Sequence, residues 1–295
     1  MTDATVLIPT HRHAALLPYA VGSALYQRDV SVEVLVVGDG VEDDTRLALE
    51  PLLADTRLRF FDFPKGARHG ELLRHEALAE ASGEIVCYLS DDDVLLPTHV
   101  ATTAELLVDA DFCHGPPAWL DPGGELHYFP WDVGRAEFVE IARVRSGSIG
   151  LTGTSHTLEA YRRLPFGWRA APANAMTDHH MWLQWLDLPG FRGRAGERLT
   201  HLWFPDTLWG GLPVEEREAA LAGWFARSRE PGFEDDLQEL LHAAVLRAAA
   251  DFHLWAQREE LAHAAVRATR TWRLREALLR LRPLQALLAR RREAR

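Results

Sequence analysis

The sequence predicts an α/β protein built on a doubly wound, mainly parallel sheet and followed by a C-terminal helical region. Three observations carry that expectation. Short apolar runs alternate with helical segments through roughly the first ninety residues, polar residues gather where the runs end, and the pattern from about Glu215 onward is almost wholly helical. Strand–helix–strand alternation implies parallel strands joined by right-handed crossovers.

The strand candidates are residues 5–8, 32–37, 58–63 and 84–89, each short and rich in β-branched or apolar side chains. Helical segments separate them at about 14–27, 43–54 and 69–81. From about Asp111 the regularity falls, and Pro116, Pro117, Pro122, Gly123 and Gly124 mark turns between short strands. A longer amphipathic segment begins near Met176, and a mixed region leads to Pro213. These shifts divide the chain into regions 1–110, 111–213 and 214–295. Ligands of such sheets bind beyond the carboxyl ends of the strands, which directs attention to residues 9–12, 38–44 and 90–93.

Composition narrows the class. Of the 295 residues, 47% are apolar and 25% charged, the balance of a chain able to bury a sizeable core. A net charge of -11 argues against nucleic acid as a partner. Cys87 and Cys113 lack metal-ligand spacing or a disulfide framework, so a reducing cytoplasm is the simplest compartment. No stretch reaches the roughly 20 apolar residues of a membrane span, and the N-terminus reads as a strand rather than a signal peptide. The charge is uneven: ten arginines against Glu276 and Glu293 give the segment from Arg267 roughly +8, leaving roughly -19 on the remainder.

The most informative stretch is Leu89-Ser90-Asp91-Asp92-Asp93-Val94-Leu95-Leu96-Pro97. Three consecutive carboxylates after a buried strand repel one another unless a cation or hydrogen-bond donors compensate. A helix cap accounts for one acidic residue, not three. There is no Gly-x-Gly-x-x-Gly after the first strand and no P-loop, so bound phosphates need another source of positive charge. A hard divalent cation, Mn2+ or Mg2+, held by these carboxylates supplies it.

Taken together, Val6-Leu7-Ile8-Pro9-Thr10-His11-Arg12, Val34-Leu35-Val36-Val37-Gly38-Asp39-Gly40, Leu73-Arg74-His75 and the aspartate run resemble, in order and spacing, the family-two inverting glycosyltransferases of the GT-A fold. The resemblance covers about the first hundred residues. It implies that region 1–110 binds a nucleotide diphosphate sugar through Pro9, Thr10, Arg12, Asp39, Arg74 and Asp91. A carboxylate such as Asp39 accepts N–H groups of a base edge, although Asp39-Gly40 also reads as a turn. Arg74 would oppose diphosphate or base charge, or else be a surface helix arginine. The family's D-x-D motif falls on Ser90 and Asp92 and is followed by Asp93. Asp92 then ligates the metal, with Asp93 beside it, and Asp91 substitutes for the carboxylate absent at Ser90. His201 is a late metal ligand by the same resemblance, or a structural histidine.

In the second region, Met176-Thr177-Asp178-His179-His180 resembles the Glu-Asp pair that opens a helix in the family's acceptor half, with Thr177 in place of the glutamate. Asp178 is then the general base, or else a helix cap. His179 and His180 point to different sides of a helix and are candidate sugar contacts. Trp182, Trp185 and Leu186 fall at core spacing. Gly150 to His156 resembles the family's small-residue segment beside donor sugar and acceptor, which nominates Gly153 and Thr154; it also reads as a loop before a helix capped by Thr154 or Ser155.

The reaction these residues imply is displacement at the anomeric carbon with inversion, the acceptor being a sugar, a lipid-linked molecule or another small molecule. Two alternatives stand beside it. A nucleotidyltransferase would carry a Gly-rich basic loop after the first strand, which Pro9-Thr10-His11-Arg12 is not. An inactive nucleotide-sugar-binding protein would explain Ser90 and Thr177 as eroded positions. In the tail, residues 272–292 read as a basic amphipathic helix interrupted at Pro283. Such a helix either lies peripherally on an anionic membrane or packs against the body or a second subunit as a homodimer contact.

Overall fold

The four apolar runs become β1 (Ala4–Thr10), β2 (Val32–Asp39), β3 (Leu58–Phe63) and β4 (Ile85–Tyr88), separated by α1 (Leu17–Leu25), α2 (Asp43–Leu49) and α3 (Glu71–Ala79). The computed structural model describes residues 2–147 and 149–272. After β5 (Val94–Leu95) and α4 (His99–Leu107) come β6 (Phe112–His114), β7 (Ala118–Leu120), β8 (Leu126–Tyr128), α5 (Ala136–Val144), β9 (Thr154–Thr157) and α6 (Leu158–Arg162). The chain continues through α7 (Thr177–Leu186), β10 (Gly193–Ala195), β11 (His201–Leu202), α8 (Asp206–Trp209), α9 (Val214–Arg227) and α10 (Phe233–Ala268).

Seven strands form the central sheet in the order β10-β6-β9-β4-β1-β2-β3. All neighbours are parallel except β9, which runs antiparallel to both β4 and β6. The doubly wound, mainly parallel sheet expected of the sequence is thus present. Its central strands are buried on both faces, as helical cover on each side requires. Val6, Ile8, Val34 and Val36 pack with Leu17, Ala20, Val21 and Ala24 of α1. Alternate residues Leu7, Leu35 and Val37 face a second layer containing Trp168, Trp182, Trp185 and Leu186. The core reading of the α7 tryptophans holds.

Two differences from the sequence reading concern the second region. Residues 154–157 are a strand in mid-sheet, not a loop, and the cap of α6 is Thr157, whose hydroxyl accepts the Ala160 N–H at 3.2 Å. The strand is polar in sequence because its buried groups are internally paired: His156 Nε2 lies 2.8 Å from the Tyr88 hydroxyl. Strands from 111–213 also join the same sheet as those from 1–110, so no structural boundary separates the two regions.

The compact unit extends to Val245, and residues from Leu246 form a second unit. Leu221, Phe233, Leu237 and Leu241 share one apolar cluster with Val94, Leu96, Leu199 and Phe204, so α9 and the start of α10 belong with the sheet rather than to a region starting at 214. In the second unit the described chain is helical to Ala268. The basic amphipathic helix expected at 272–292 lies, beyond Trp272, outside the described residues. Among the described residues, no helix is long and apolar enough to cross a membrane.

Candidate active site

The strand ends converge on a cleft of about 900 Å³. Its wall includes Pro9 and Thr10 at the end of β1, Arg12 after it, Asp39 at the end of β2, Arg74 of α3, Asp91 and Asp92 after β4, and Asp178 of α7. Eight of the residues nominated from sequence are therefore brought to one place. Thr10 Oγ1 and His11 Nδ1 are buried there without a hydrogen-bond partner, an arrangement that favours a ligand able to supply one.

Asp39 is held on one side of this cleft. Its carboxylate accepts the Gly66 N–H at 2.6 Å and pairs with the Lys65 ammonium. A Cβ at Gly70 would come within 2.8 Å of the Asp39 carboxyl carbon, and Gly70 has φ +69°, so glycine is required there on both counts. Lys65 is the chain's only lysine. Arg68 completes this basic rim, its guanidinium held by the Ala173 and Ala175 carbonyls at 3.2 and 3.0 Å.

The acidic cluster is divided by its partners. His13 Nδ1 lies 2.8 Å from Asp91 Oδ1 and 3.9 Å from Asp92 Oδ2, and Arg217 Nη2 donates to Asp92 Oδ2 at 3.1 Å. The hydrogen bond to Asp91 lifts the His13 imidazole to about 9, while burial and the Asp91 charge push Asp92 up to about 6. Ligand atoms of His13, Asp91 and Asp92 lie within 4.8 Å of one another. Asp93 instead braces the backbone, accepting the Phe204 N–H at 2.8 Å and the Thr152 hydroxyl. Burial, reinforced by the Asp92 charge, holds its carboxyl well above the ordinary range. Thr152 in turn accepts the Ser90 N–H at 2.9 Å. Of the expected ligands Asp92, Asp93 and His201, only Asp92 belongs to this group, which His13 joins, while Asp93 ties the loop to the backbone that follows β11.

Asp178 is the second residue of α7 rather than its cap, which is Met176. Its side chain is 31% exposed, and Arg74 Nη1 lies 3.7 Å away. Burial raises the Asp178 carboxyl above its ordinary value and the Arg74 charge opposes that rise. Arg74 itself is 8% exposed, lies 4.6 Å over the Trp168 ring and donates to the His69 carbonyl. Trp168 Nε1 donates to the Tyr88 hydroxyl at 2.8 Å, which links this pair to the buried sheet. Arg74 is thus placed against the candidate base, although it also lines the cleft. Thr177, standing where the family has glutamate, donates its hydroxyl to Glu71 at 3.1 Å. Glu71 is fully buried and also accepts the His69 and Ala171 amides, so a carboxylate from α3 takes the place beside Asp178.

A smaller cavity of about 400 Å³ shares Ser90, Leu151, Met176 and Asp178 with the cleft. Thr154, His179 and His201 line it. His180 is directed elsewhere, with Arg169 Nε donating to its Nε2 at 3.3 Å. Gly153 also makes room for His201, because a Cβ there would lie 2.4 Å from the imidazole ring.

Sequence reading missed His13, Lys65, Glu71 and Arg217. His13 stands one residue beyond the motif after β1, and Lys65 lies in the corresponding loop after β3, a position that marks it. Glu71 and Arg217 were missed because the site residues they meet, Thr177 and Asp92, lie 106 and 125 residues away.

A mainly parallel sheet whose strand ends carry paired carboxylates in a cleft of nucleotide size defines a GT-A type fold. Comparison with known proteins agrees. Residues 5–166, more than half of the chain, match Glycosyl transferase family 2. The chain belongs to that family. It is 31% identical over 106 residues to a GalNAc(5)-diNAcBac-PP-undecaprenol beta-1,3-glucosyltransferase of Campylobacter jejuni, a match covering 35% of this chain and 33% of that protein. It thus spans about a third of that relative's length. TarS 1–349 of S. aureus superposes with a TM-score of 0.56 at 15% identity, covering 79% of this chain and 74% of that one. The mannosyltransferase PcManGT from Pyrobaculum calidifontis, in complex with GDP-Man and Mn2+, gives 0.50 at 18% identity, covering 97% and 85%. These structural likenesses establish the fold.

Proposed function

We propose that the protein transfers a sugar from a nucleotide diphosphate sugar to an acceptor hydroxyl, with inversion and with a divalent metal, Mn2+ or Mg2+. The observation that carries this reading is the position of Asp178, which lines both the large cleft and the smaller cavity. A base that takes a proton from an acceptor hydroxyl while that oxygen attacks the donor must stand where donor and acceptor meet. The donor occupies the cleft, its base read by Asp39, with Pro9, Thr10 and Arg12 around it. Asp178 receives the acceptor proton, and Arg74 favours the anionic form in which it acts.

Once a cation displaces the proton that His13 shares with Asp91, His13, Asp91 and Asp92 would offer one imidazole and two carboxylates in a compact group, a donor set suited to a hard divalent cation. When bound, the ion supplies positive charge against the charge growing on the departing diphosphate. Arg217 adds charge of the same sign at Asp92. The C. jejuni relative is named for an undecaprenol-linked glycan, which makes lipid-linked glycans one acceptor class to test, together with free sugars. A lipid-linked acceptor would suit attachment at the cytoplasmic membrane surface through the basic tail.

The test begins with thermal stabilisation by UDP-, GDP- and dTDP-sugars in the presence of Mn2+, since a ligand bound to the native state raises apparent stability. Turnover of the stabilising donor is then compared in Asp178→Asn. Loss of about a hundredfold or more in kcat with donor binding retained is expected of a general base. Undiminished turnover in that variant would remove Asp178 from the chemistry.

A further inference from the structure

The smaller cavity contains side chains that the transfer chemistry leaves unused. At about 400 Å³ it is within the size range of small-molecule sites. His114 and His201 line it, are 5% and 3% exposed, and leave His114 Nε2 and His201 Nδ1 without hydrogen-bond partners. Native structures rarely leave such atoms unsatisfied. His114 Nδ1 lies 2.5 Å from the Gly115 carbonyl oxygen, so it carries the proton and Nε2 offers a lone pair. The His201 ring is seated against Gly115 and Gly153, where a Cβ would come within 2.8 and 2.4 Å of it. Burial lowers both imidazoles, to about 3 for His201, with His99 and His114 adding to the effect there, so both are neutral at physiological pH.

Aromatic side chains line the same cavity. Trp203 and Phe129 are 36% and 39% exposed. Trp119 meets Trp203 edge-on at 6.0 Å, and its face is backed by His127 in a stacked contact at 5.6 Å. His127 is itself fixed by Asp121 at 2.9 Å. An aromatic wall held from behind is preorganised for a ligand with an apolar face. The His114 lone pair and the Arg145 guanidinium, which also lines the cavity, offer a ligand's hydroxyl groups both an acceptor and a donor.

We propose that this cavity is a carbohydrate subsite, in which the acceptor's sugar ring rests on Trp119, Trp203 and Phe129 and its hydroxyls bond to His114 and His201. The proposal rests on the transfer reading and specifies its acceptor as a glycoside. A polyprenyl chain entering here would leave both imidazoles unpaired.

The test is saturation-transfer NMR on the full chain with methyl glycosides of hexoses, N-acetylhexosamines and 6-deoxyhexoses, with UDP or GDP and Mn2+ present. At least one glycoside should show ring-proton saturation, with affinity about tenfold weaker in Trp203→Ala. Phe129→Ala, also at an exposed position, should weaken it in the same direction without lowering the melting temperature. Nucleotide binding in Trp203→Ala should be unchanged. The subsite is overturned if no glycoside binds, if Trp203→Ala keeps full affinity, or if farnesyl phosphate alone enters. If nucleotide binding persists in those cases, only the subsite falls; if nucleotide and glycoside both fail to bind, the transfer reading falls with it.

Discussion

Replacing Arg74 distinguishes a residue that tunes the base from one that holds the nucleotide. Its guanidinium is 3.7 Å from the Asp178 carboxylate. At about 4 Å and an effective dielectric near 20, two unit charges interact by about 4 kcal/mol. The Asp178 side chain is 31% exposed, and exposed pairs contribute only about 0.2–1 kcal/mol. A value between these limits, about 1.4 kcal/mol, corresponds to one pH unit. A carboxylate base acts when ionised, so removing the cation makes ionisation harder. In Arg74→Met the acidic limb of kcat/KM should therefore move about one pH unit toward alkaline, while Arg74→Lys restores most of it. The assay is the pH profile of donor turnover, with nucleoside diphosphate affinity measured in parallel. Loss of the contact over Trp168 should also cost about 0.5–2 kcal/mol of stability. An unmoved acidic limb accompanied by a large rise in donor KM would refute the argument and return Arg74 to the nucleotide.

The remaining predictions concern the cation site, the base pocket and the carboxylate beneath Asp178. Chelation by EDTA, or Asp92→Ala, should abolish most nucleoside diphosphate binding in calorimetry; Arg217→Ala should instead tighten Mn2+ alone by about tenfold, read by electron paramagnetic resonance, because a competing charge leaves Asp92. Lys65, as the only lysine, should be the one side-chain amine labelled by an acylating reagent, and the correct nucleotide should protect it; labelling unaffected by every nucleotide would place the base elsewhere. For Glu71, burial opposes ionisation, but the amides of His69 and Ala171 and the Thr177 hydroxyl hold its carboxyl below the ordinary 4.5. Its contribution is therefore present at neutral pH and lost as pH falls through that range. Glu71→Gln should lower stability by about 1–3 kcal/mol at pH 7 and show a smaller acid-dependent loss, measured by denaturant titration at several pH values.

The strands were legible because β1, β2 and β4 are short apolar runs largely buried on both faces, while the edge strand β3 still carries Leu58 and three phenylalanines, and the carboxyl ends were legible because polar residues cannot continue into such a layer. That logic located Thr10, Asp39 and Asp92 before any geometry was known. It failed at 154–157, where Ser155 and His156 read as loop yet lie fully buried in mid-sheet. Backbone pairing on both sides and the Tyr88 hydroxyl make that burial tolerable, and none of those partners is local.

The sequence by itself determined the alternation of strands and helices, the acidic run and the aspartate opening α7, since periodicity and neighbouring charge are properties of consecutive residues. Only the tertiary structure decided that Asp92 meets Arg217, that Asp93 braces a loop, that Arg74 stands by Asp178 and that Glu71 receives Thr177. Those pairings depend on which charges burial brings within a few ångströms, and sequence separation carries no record of that distance.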